Sequence, residues 1–438
     1  MPSPVTFGTD GIRGRAFDEI TVDLAYRLGY AVGVVFHAPA LVGYDTRESS
    51  PILASAVLAG LADAGAQGSN LGVITTPGVA VIAQQRQGVG VVVSASHNPY
   101  YDNGLKVLGL GGSKLDLATE AAVAAALLSA PSAPDPHFAE VPVDPTAAAD
   151  YTAHLRRAVP GDVAALHVVL DCANGAASHL AEELFRAAGA EVSVLHNTPD
   201  GHNINEHCGS THPDSLVAEV RRLNADLGLA FDGDADRLIA VDATGAVRDG
   251  DDLMVLFALD RPDVRASGVV LTSMSNLGLR RALSEAGITI VETDVGDRNV
   301  LIALEERDWN FGGEQSGHLI FRDHSPTGDG LLTGLHLAEL VRRRGPLATL
   351  ANEAWQRVPQ VLVNVSRSAY DEEYVQGVFR ELCLTHAVAP EDVRLLIRRS
   401  GTEPLVRVMV EAIDGAFVDA FARRVADYFS AAQLRLPD

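Results

Sequence analysis

The sequence predicts an α/β protein of three similar α/β units followed by a smaller α+β domain. Three observations lead there. At 438 residues the chain is too long for one ordinary core. Short β-branched runs alternate with helix-period stretches until about Pro359, where the pattern changes. Each unit also carries one unusual polar loop, as a site shared between domains requires.

The composition narrows the function. Apolar residues make up 47% and charged residues 21%, the balance of a folded globular protein. A net charge of −23 argues against general binding to nucleic acid or anionic membrane, both of which need a broad basic face. The three cysteines, Cys172, Cys208 and Cys383, are widely spaced and make neither a disulfide framework nor a zinc site. The start, Met-Pro-Ser-Pro, lacks the features of a signal peptide. The longest apolar stretch, Leu28 to Tyr44, is interrupted by His37 and Pro39 and reads as a helix and a strand rather than a membrane span. A cytoplasmic location is expected.

In chain order, residues 7–14 read Phe-Gly-Thr-Asp-Gly-Ile-Arg-Gly, a glycine-punctuated loop in which Arg13 could grip a phosphate, or else a plain surface turn. Leu24, Leu28, Val32 and Val35 mark a helix, and Ala40 to Tyr44 a strand. Ser50 and Pro51 are expected as N-cap and N1 of the next helix. A buried strand, Gly88 to Val93, leads into Ser94-Ala-Ser-His-Asn-Pro-Tyr-Tyr-Asp-Asn-Gly-Leu-Lys106. A polar turn at the carboxyl edge of such a strand is where α/β sheets present reactive groups. Ser96 is therefore a candidate nucleophile, although a Ser-x-x-Pro turn is also a helix cap.

The second unit holds strands at Leu166–Leu170, Glu191–Leu195 and Leu227–Phe231, the last opening into Asp232-Gly-Asp-Ala-Asp-Arg237. The third has strands at Val269–Thr272 and Ile288–Glu292, a helix opened by Val295-Gly-Asp-Arg298, and the loop Gly312-Gly-Glu-Gln-Ser-Gly-His318. The last unit has strands at Val393–Ile397 and Leu405–Val410 flanking Arg398-Arg-Ser-Gly-Thr-Glu-Pro404. The expected domains are 1–145, 146–248, 249–357 and 358–438.

Asp232, Asp234 and Asp236 alternate along one turn, so their carboxylates can converge on a hard cation. A calcium loop of the EF-hand kind would need Gly and Glu where Arg237 and Ala243 stand. Few ligands from a short loop suit Mg²⁺; a solvated acidic turn is the plain alternative. Arg398, Ser400, Gly401 and Thr402 combine a guanidinium, hydroxyls and an exposed amide, which suits a phosphate dianion or simply a basic turn. Glu314, Ser316 and His318 alternate and could bond successive sugar hydroxyls. A nucleophile, a metal site, a phosphate clamp and a hydroxyl-reading loop together describe phosphoryl transfer.

These five motifs, in content and order, resemble the α-D-phosphohexomutase superfamily, and the first motif and Gly313-Glu-Gln-Ser-Gly-His318 look most like its glucosamine branch. Ala235 departs from the pattern, which has Gly there; its side chain is expected to point away from the metal with little effect. The resemblance implies mixed-sheet domains around a central active-site cleft, and a phosphosugar as substrate. It implies that Ser96 carries a phosphate and that Mg²⁺ is held by that phosphate with Asp232, Asp234 and Asp236. Glucosamine 6-phosphate and glucosamine 1-phosphate would interconvert through a 1,6-bisphosphate, which also serves as activator, feeding UDP-N-acetylglucosamine synthesis. Arg398, Ser400, Gly401 and Thr402 would hold the non-reacting phosphate, and Glu314, Ser316 and His318 the sugar. Lys106 and Arg13 would lie near the reacting oxygen, with Arg237 close to the metal loop. His97 would orient Ser96 or touch its phosphate; as an adjacent base for hydrolysis it is disfavoured, because neighbours on a turn rarely face each other. The rivals are a phosphomannomutase or phosphoglucomutase and, more remotely, a metal-dependent sugar phosphatase. A homodimer is compatible with the sequence.

Overall fold

The computed structural model describes residues 11–135, 137–368, 370–399 and 405–433. The first domain has strands β1 (Ile12–Arg15), β2 (Ala40–Tyr44), β3 (Gly68–Val73), β4 (Val89–Val93) and β5 (Asp102–Leu108), in the order β1-β5-β4-β2-β3. The central strands β2, β3 and β4 are parallel, and β5 runs antiparallel to both β4 and β1. Both faces of β4 are covered, which is why it reads as an unbroken apolar run. Val89, Val91 and Val93 pack with helices Val22–Phe36 and Ser50–Asp63, whereas Val92 packs with helix Thr76–Gln85.

The second domain repeats the plan with β6 (His167–Asp171), β7 (Glu191–Leu195), β8 (Leu227–Phe231), β9 (Leu238–Asp242) and β10 (Val247–Arg248), in the order β10-β9-β8-β6-β7. The third has β11 (Val269–Thr272), β12 (Ile290–Thr293), β13 (Phe311–Gly313) and β14 (Leu319–Phe321), in the order β12-β11-β13-β14. In each of the three, a strand of the parallel set is followed by a polar loop and an antiparallel return strand: β4 to β5, β8 to β9, β13 to β14. The serine, aspartate and Glu-Gln-Ser-Gly-His loops are these three connections. The last domain is different, an antiparallel sheet of β15 (Gln360–Ser366), β17 (Leu405–Ala412) and β16 (Val393–Arg399) in the order β15-β17-β16, with helices Glu372–Thr385 and Gly415–Gln433.

The cores explain how the loops are held together. One apolar cluster runs from the helix 76–85 face of the first sheet through helix Ala147–Ala158 into the second and third domains. Among the described residues the last domain has a core of its own, built from Val375, Val408, Phe417 and Phe421 with their neighbours. Polar contacts join it to the third domain: Asn276 exchanges two hydrogen bonds of 3.0 Å with the backbone of Val358, and Arg394 donates to the Ser273 carbonyl at 2.7 Å. No described helix is long and apolar enough to cross a membrane.

Two local expectations change. The helix after β2 is capped at Ser49, without a side-chain bond, and Ser50 lies inside it. The Ser50 hydroxyl instead donates to the buried carboxylate of Asp45 at 2.7 Å, a charge-assisted bond. The strand expected at 288–292 begins at Ile290, two residues past the buried Ile288.

Candidate active site

Ser96 follows β4 at the carboxyl edge of the sheet and is 1% exposed. Its φ of 52° lies in the left-handed region, which a residue with a Cβ adopts only when its surroundings impose it. Its hydroxyl donates to Asp232 Oδ2 at 2.6 Å, so the serine and aspartate loops touch across the domain boundary. The close approach requires glycine beside Asp232: a Cβ on Gly233 would stand 2.6 Å from the Ser96 carbonyl oxygen. Contrary to the expectation for sequence neighbours, His97 Nδ1 comes within 3.4 Å of Ser96 Oγ. The left-handed backbone at Ser96 rotates the following residue back over the hydroxyl. Burial, then the Arg237 and Arg13 guanidinium groups, push the His97 pKa down to about 4, so the ring is neutral at pH 7.

Asp232, Asp234 and Asp236 bring carboxylate oxygens within 4.8 Å of one another. Asp234 Oδ1 and Asp236 Oδ1 are buried without a hydrogen-bond donor. Buried anionic oxygens with nothing to bond are what a cation would satisfy, so these residues fit a divalent metal. Burial raises the Asp232 carboxyl well above its ordinary range, and Asp236 and Asp234 add to the rise. Burial acts the same way on Asp234, but Lys106 and Thr76 outweigh it and hold that carboxyl low. Lys106, carried in on β5, donates to Asp234 Oδ2 at 2.7 Å. Arg13 stands on β1 beside Gly104 of β5, and Arg237 Nε lies 3.8 Å from Asp236 Oδ1. Ala235 points into the apolar core, as expected, yet its φ of 55° is left-handed, a strain the usual glycine would not carry.

Glu314 and Ser316 sit on the β13–β14 connection, where Glu314 Oε1 accepts the Gly296 amide at 2.9 Å and Ser316 Oγ lies 3.4 Å from Oε2. His318, the third residue of that loop pattern, also reaches the aspartate loop. It is 3% exposed, with Nδ1 3.7 Å from Asp236 Oδ2 and Nε2 accepting the Gly328 amide at 3.2 Å. The reason is register: His318 immediately precedes β14, and its side chain turns under the aspartate loop. Burial opposes protonation of this ring, but Asp236 prevails and lifts its pKa to about 9. The amide contact favours the neutral ring, and a cation among the aspartates would remove the pull of Asp236 and leave both neighbours satisfied.

Arg398 lies on β16 directly opposite Arg407 of β17. This pair borders the expected phosphate loop. Ser400, Gly401 and Thr402 lie outside the described residues, as do Phe7 to Asp10.

Several contacts around the site escaped the sequence reading. Thr76 donates its hydroxyl to Asp234 Oδ2 at 2.6 Å and its amide to the Asp234 carbonyl at 3.0 Å. Lys114 pairs with Asp297 at 2.5 Å and Arg298 with Glu120, tying the first domain to the third. These partners are more than a hundred residues apart, and no periodicity links them. A second group, Asp171, His196 and Cys208, is also close. There, however, both Asp171 oxygens already accept amides, from Ala173 and Gly209 at 3.0 Å, which braces the loop after β6.

Models of the phosphoglucomutase/phosphomannomutase α/β/α domains I, II and III match residues 4–133, 149–245 and 249–358, and that of the C-terminal domain matches 372–428. A phosphoglucosamine mutase of Exiguobacterium sp. is 44% identical, covering 96% of this chain and 97% of the relative. The chain belongs to the phosphoglucomutase/phosphomannomutase family. A solved family member from Burkholderia thailandensis superposes with a TM-score of 0.81 at 26% identity, covering 100% of this chain and 99% of that one. The family fold extends to an N-acetylphosphoglucosamine mutase of Aspergillus fumigatus, solved with GlcNAc-6P and magnesium, at TM-score 0.66 and 18% identity, covering 98% and 96% of the two chains.

Proposed function

We propose that the chain interconverts glucosamine 6-phosphate and glucosamine 1-phosphate, with Ser96 as the residue that carries the phosphoryl group. The observation that carries this reading is the 2.6 Å contact of Ser96 Oγ with Asp232, in a trio of carboxylates fit for a cation. Phosphorylated, Ser96 gives its phosphoryl group to the sugar O1: the Oγ–P bond breaks, the P–O1 bond forms, and the O1 proton is passed on to leave Ser96 Oγ as a hydroxyl. The resulting 1,6-bisphosphate turns over, its O6–P bond breaks as Ser96 Oγ takes the phosphoryl group back, and the proton that Oγ gives up is balanced by the one O6 gains. Mg²⁺ held by Asp232, Asp234 and Asp236 with the serine phosphate would offset the charge of the transferring group, as the magnesium in the Aspergillus enzyme suggests.

The chain's own residues supply the rest. Lys106, hydrogen-bonded to Asp234, and Arg13 place cationic side chains beside the reacting oxygens, where a proton must move. His97, neutral and 3.4 Å from Ser96 Oγ, orients that oxygen. Glu314 and Ser316 accept and donate to sugar hydroxyls. His318, with them a contact to the sugar, and Arg237 also brace the aspartate loop from behind and beside it. Arg398, Ser400, Gly401 and Thr402 grip the non-reacting phosphate, and a glucosamine 1,6-bisphosphate would prime the enzyme. The free cysteines are consistent with the cytoplasm, and the domain boundaries fall near 145, 248 and 357.

A substrate panel with a 1,6-bisphosphate present tests the reading. Glucosamine 6-phosphate is expected to show the highest kcat/KM against the glucose and mannose phosphates, and a preference for a non-amino sugar would overturn the assignment. Ser96→Ala should abolish turnover and remove a phosphate seen by intact mass, and EDTA should stop the reaction until Mg²⁺ is restored.

A further inference from the structure

Beneath the serine loop lies a guanidinium that the mechanism above does not use. Arg47 is 1% exposed. Its Nη2 donates to the carbonyl oxygens of Ser96 at 3.0 Å and Asn98 at 2.9 Å, and its Nη1 to that of Pro99. Its Nε bonds Asp45 Oδ2 at 2.9 Å, so its charge is neutralised inside the protein. Asp45 in turn accepts the Ser94 hydroxyl at 2.6 Å, and Ser94 Oγ accepts the Ser96 amide at 3.0 Å. The loop is thus gripped at both the N–H and the C=O of Ser96.

The same two carbonyls are gripped from the other domain. Asn205, 8% exposed on the loop between β7 and β8, donates Nδ2 to Ser96 O at 2.9 Å and to Asn98 O at 3.0 Å. Two donors on one carbonyl occupy both its lone pairs and fix the peptide plane that follows Ser96. That plane is what keeps Ser96 in its left-handed conformation and aims Oγ at Asp232. Without these bonds, the backbone would relax toward an ordinary conformation and carry Oγ away from the aspartates.

We infer that Arg47 and Asn205 are positioning residues that hold Ser96 in line for phosphoryl transfer, Arg47 from within the first domain and Asn205 from the second. The inference rests on the reading of Ser96 as the phosphoryl carrier. Both act on the reaction through the serine loop and not on the sugar, so their loss should appear in kcat and leave KM nearly unchanged. A misplacement of the nucleophile by about 1 Å is enough to cost up to about 100-fold. Lysine cannot replace Arg47, because one ammonium cannot span three carbonyls and a carboxylate at once.

The test uses Asn205→Ala and Arg47→Lys, with Ser96→Ala beside them. Asn205→Ala truncates one side chain of a connecting loop and leaves the Arg47 bonds to the same carbonyls, so it should fold, which keeps the test open if Arg47→Lys does not. The expected result is a kcat lowered about 10-fold or more in Asn205→Ala, with KM for glucosamine 6-phosphate within about 2-fold. The rate at which a sugar 1,6-bisphosphate phosphorylates Ser96, followed by intact mass, should fall by the same factor. A purely structural Asn205 would lower the melting temperature and leave both rates per folded molecule intact, which would overturn the inference. An inactive Ser96→Ala beside a full-rate Asn205→Ala overturns the inference alone, whereas an active Ser96→Ala overturns the phosphoserine reading and the inference with it.

Discussion

Thr76 and Asp234, 158 residues apart, exchange two hydrogen bonds: hydroxyl to Oδ2 at 2.6 Å and amide to carbonyl at 3.0 Å. Thr76 is in the first turn of helix Thr76–Gln85 in the first domain, and Asp234 is the middle carboxylate of the second. The arrangement mirrors Asn205, which reaches the opposite way to the serine loop. Each domain therefore steadies the other's reactive loop.

From this contact, Thr76→Val should weaken metal binding while keeping the shape of the side chain. Loss of a hydrogen bond that orients a metal ligand typically lowers affinity about 10- to 100-fold. The Mg²⁺ concentration for half-maximal activity should rise by about that factor, with the rate at saturating Mg²⁺ largely recovered. An unchanged Mg²⁺ dependence would count against the contact as a support of the site.

Asp251 provides a pH prediction away from the metal. It is buried at the start of helix Gly250–Asp260, with Oδ2 accepting the Asn276 amide at 3.0 Å. Burial, with the nearby Asp249, raises its pKa to about 7. The folded protein thus holds a proton that the unfolded chain loses near the ordinary carboxyl range of about 4, so this group destabilises the fold increasingly as pH rises from about 4 to about 7. Asp251→Asn keeps an acceptor for Asn276 and removes the titration. Its apparent melting temperature should exceed that of the parent at pH 8 and approach it at pH 5. An equal difference at both pH values would show that the proton is not the cause.

The separate core of the last domain predicts stepwise unfolding. Helix 372–385, helix 415–433 and the three strands bury Val375, Val408, Phe417 and Phe421 together, while polar contacts join the domain to the third. Differential scanning calorimetry should resolve a smaller transition for this domain from the larger one of the fused first three. A single cooperative transition would mean that the polar contacts couple the domains more tightly than their cores suggest.

The sequence alone was informative wherever chemistry was concentrated in one short stretch. Asp232, Asp234 and Asp236 stand in one turn, and their alternate spacing lets the carboxylates converge once a counter-ion offsets their repulsion; the structure places them together. Ser96 could be placed after a buried strand because β4 is apolar on both faces. The antiparallel return strands were less visible: β5 begins Asp102-Asn103-Gly104, which has turn composition, and only pairing with β4 and β1 makes it a strand. That strand delivers Lys106 to the aspartates.

His318 shows the limit from the other side, since nothing in its motif indicates the approach to Asp236 that its placement makes. Arg47, Thr76 and Asn205 show it too, because each lies in an unremarkable local setting and acquires meaning only from a partner in another loop or domain. The sequence by itself determined the domain plan, the family and the acidic and serine loops, because these depend on local periodicity and on residues close together in the chain. Only the tertiary structure decided how the loops are aimed. Direction is set by hydrogen bonds between segments dozens to more than a hundred residues apart, and those depend on the packing of whole domains.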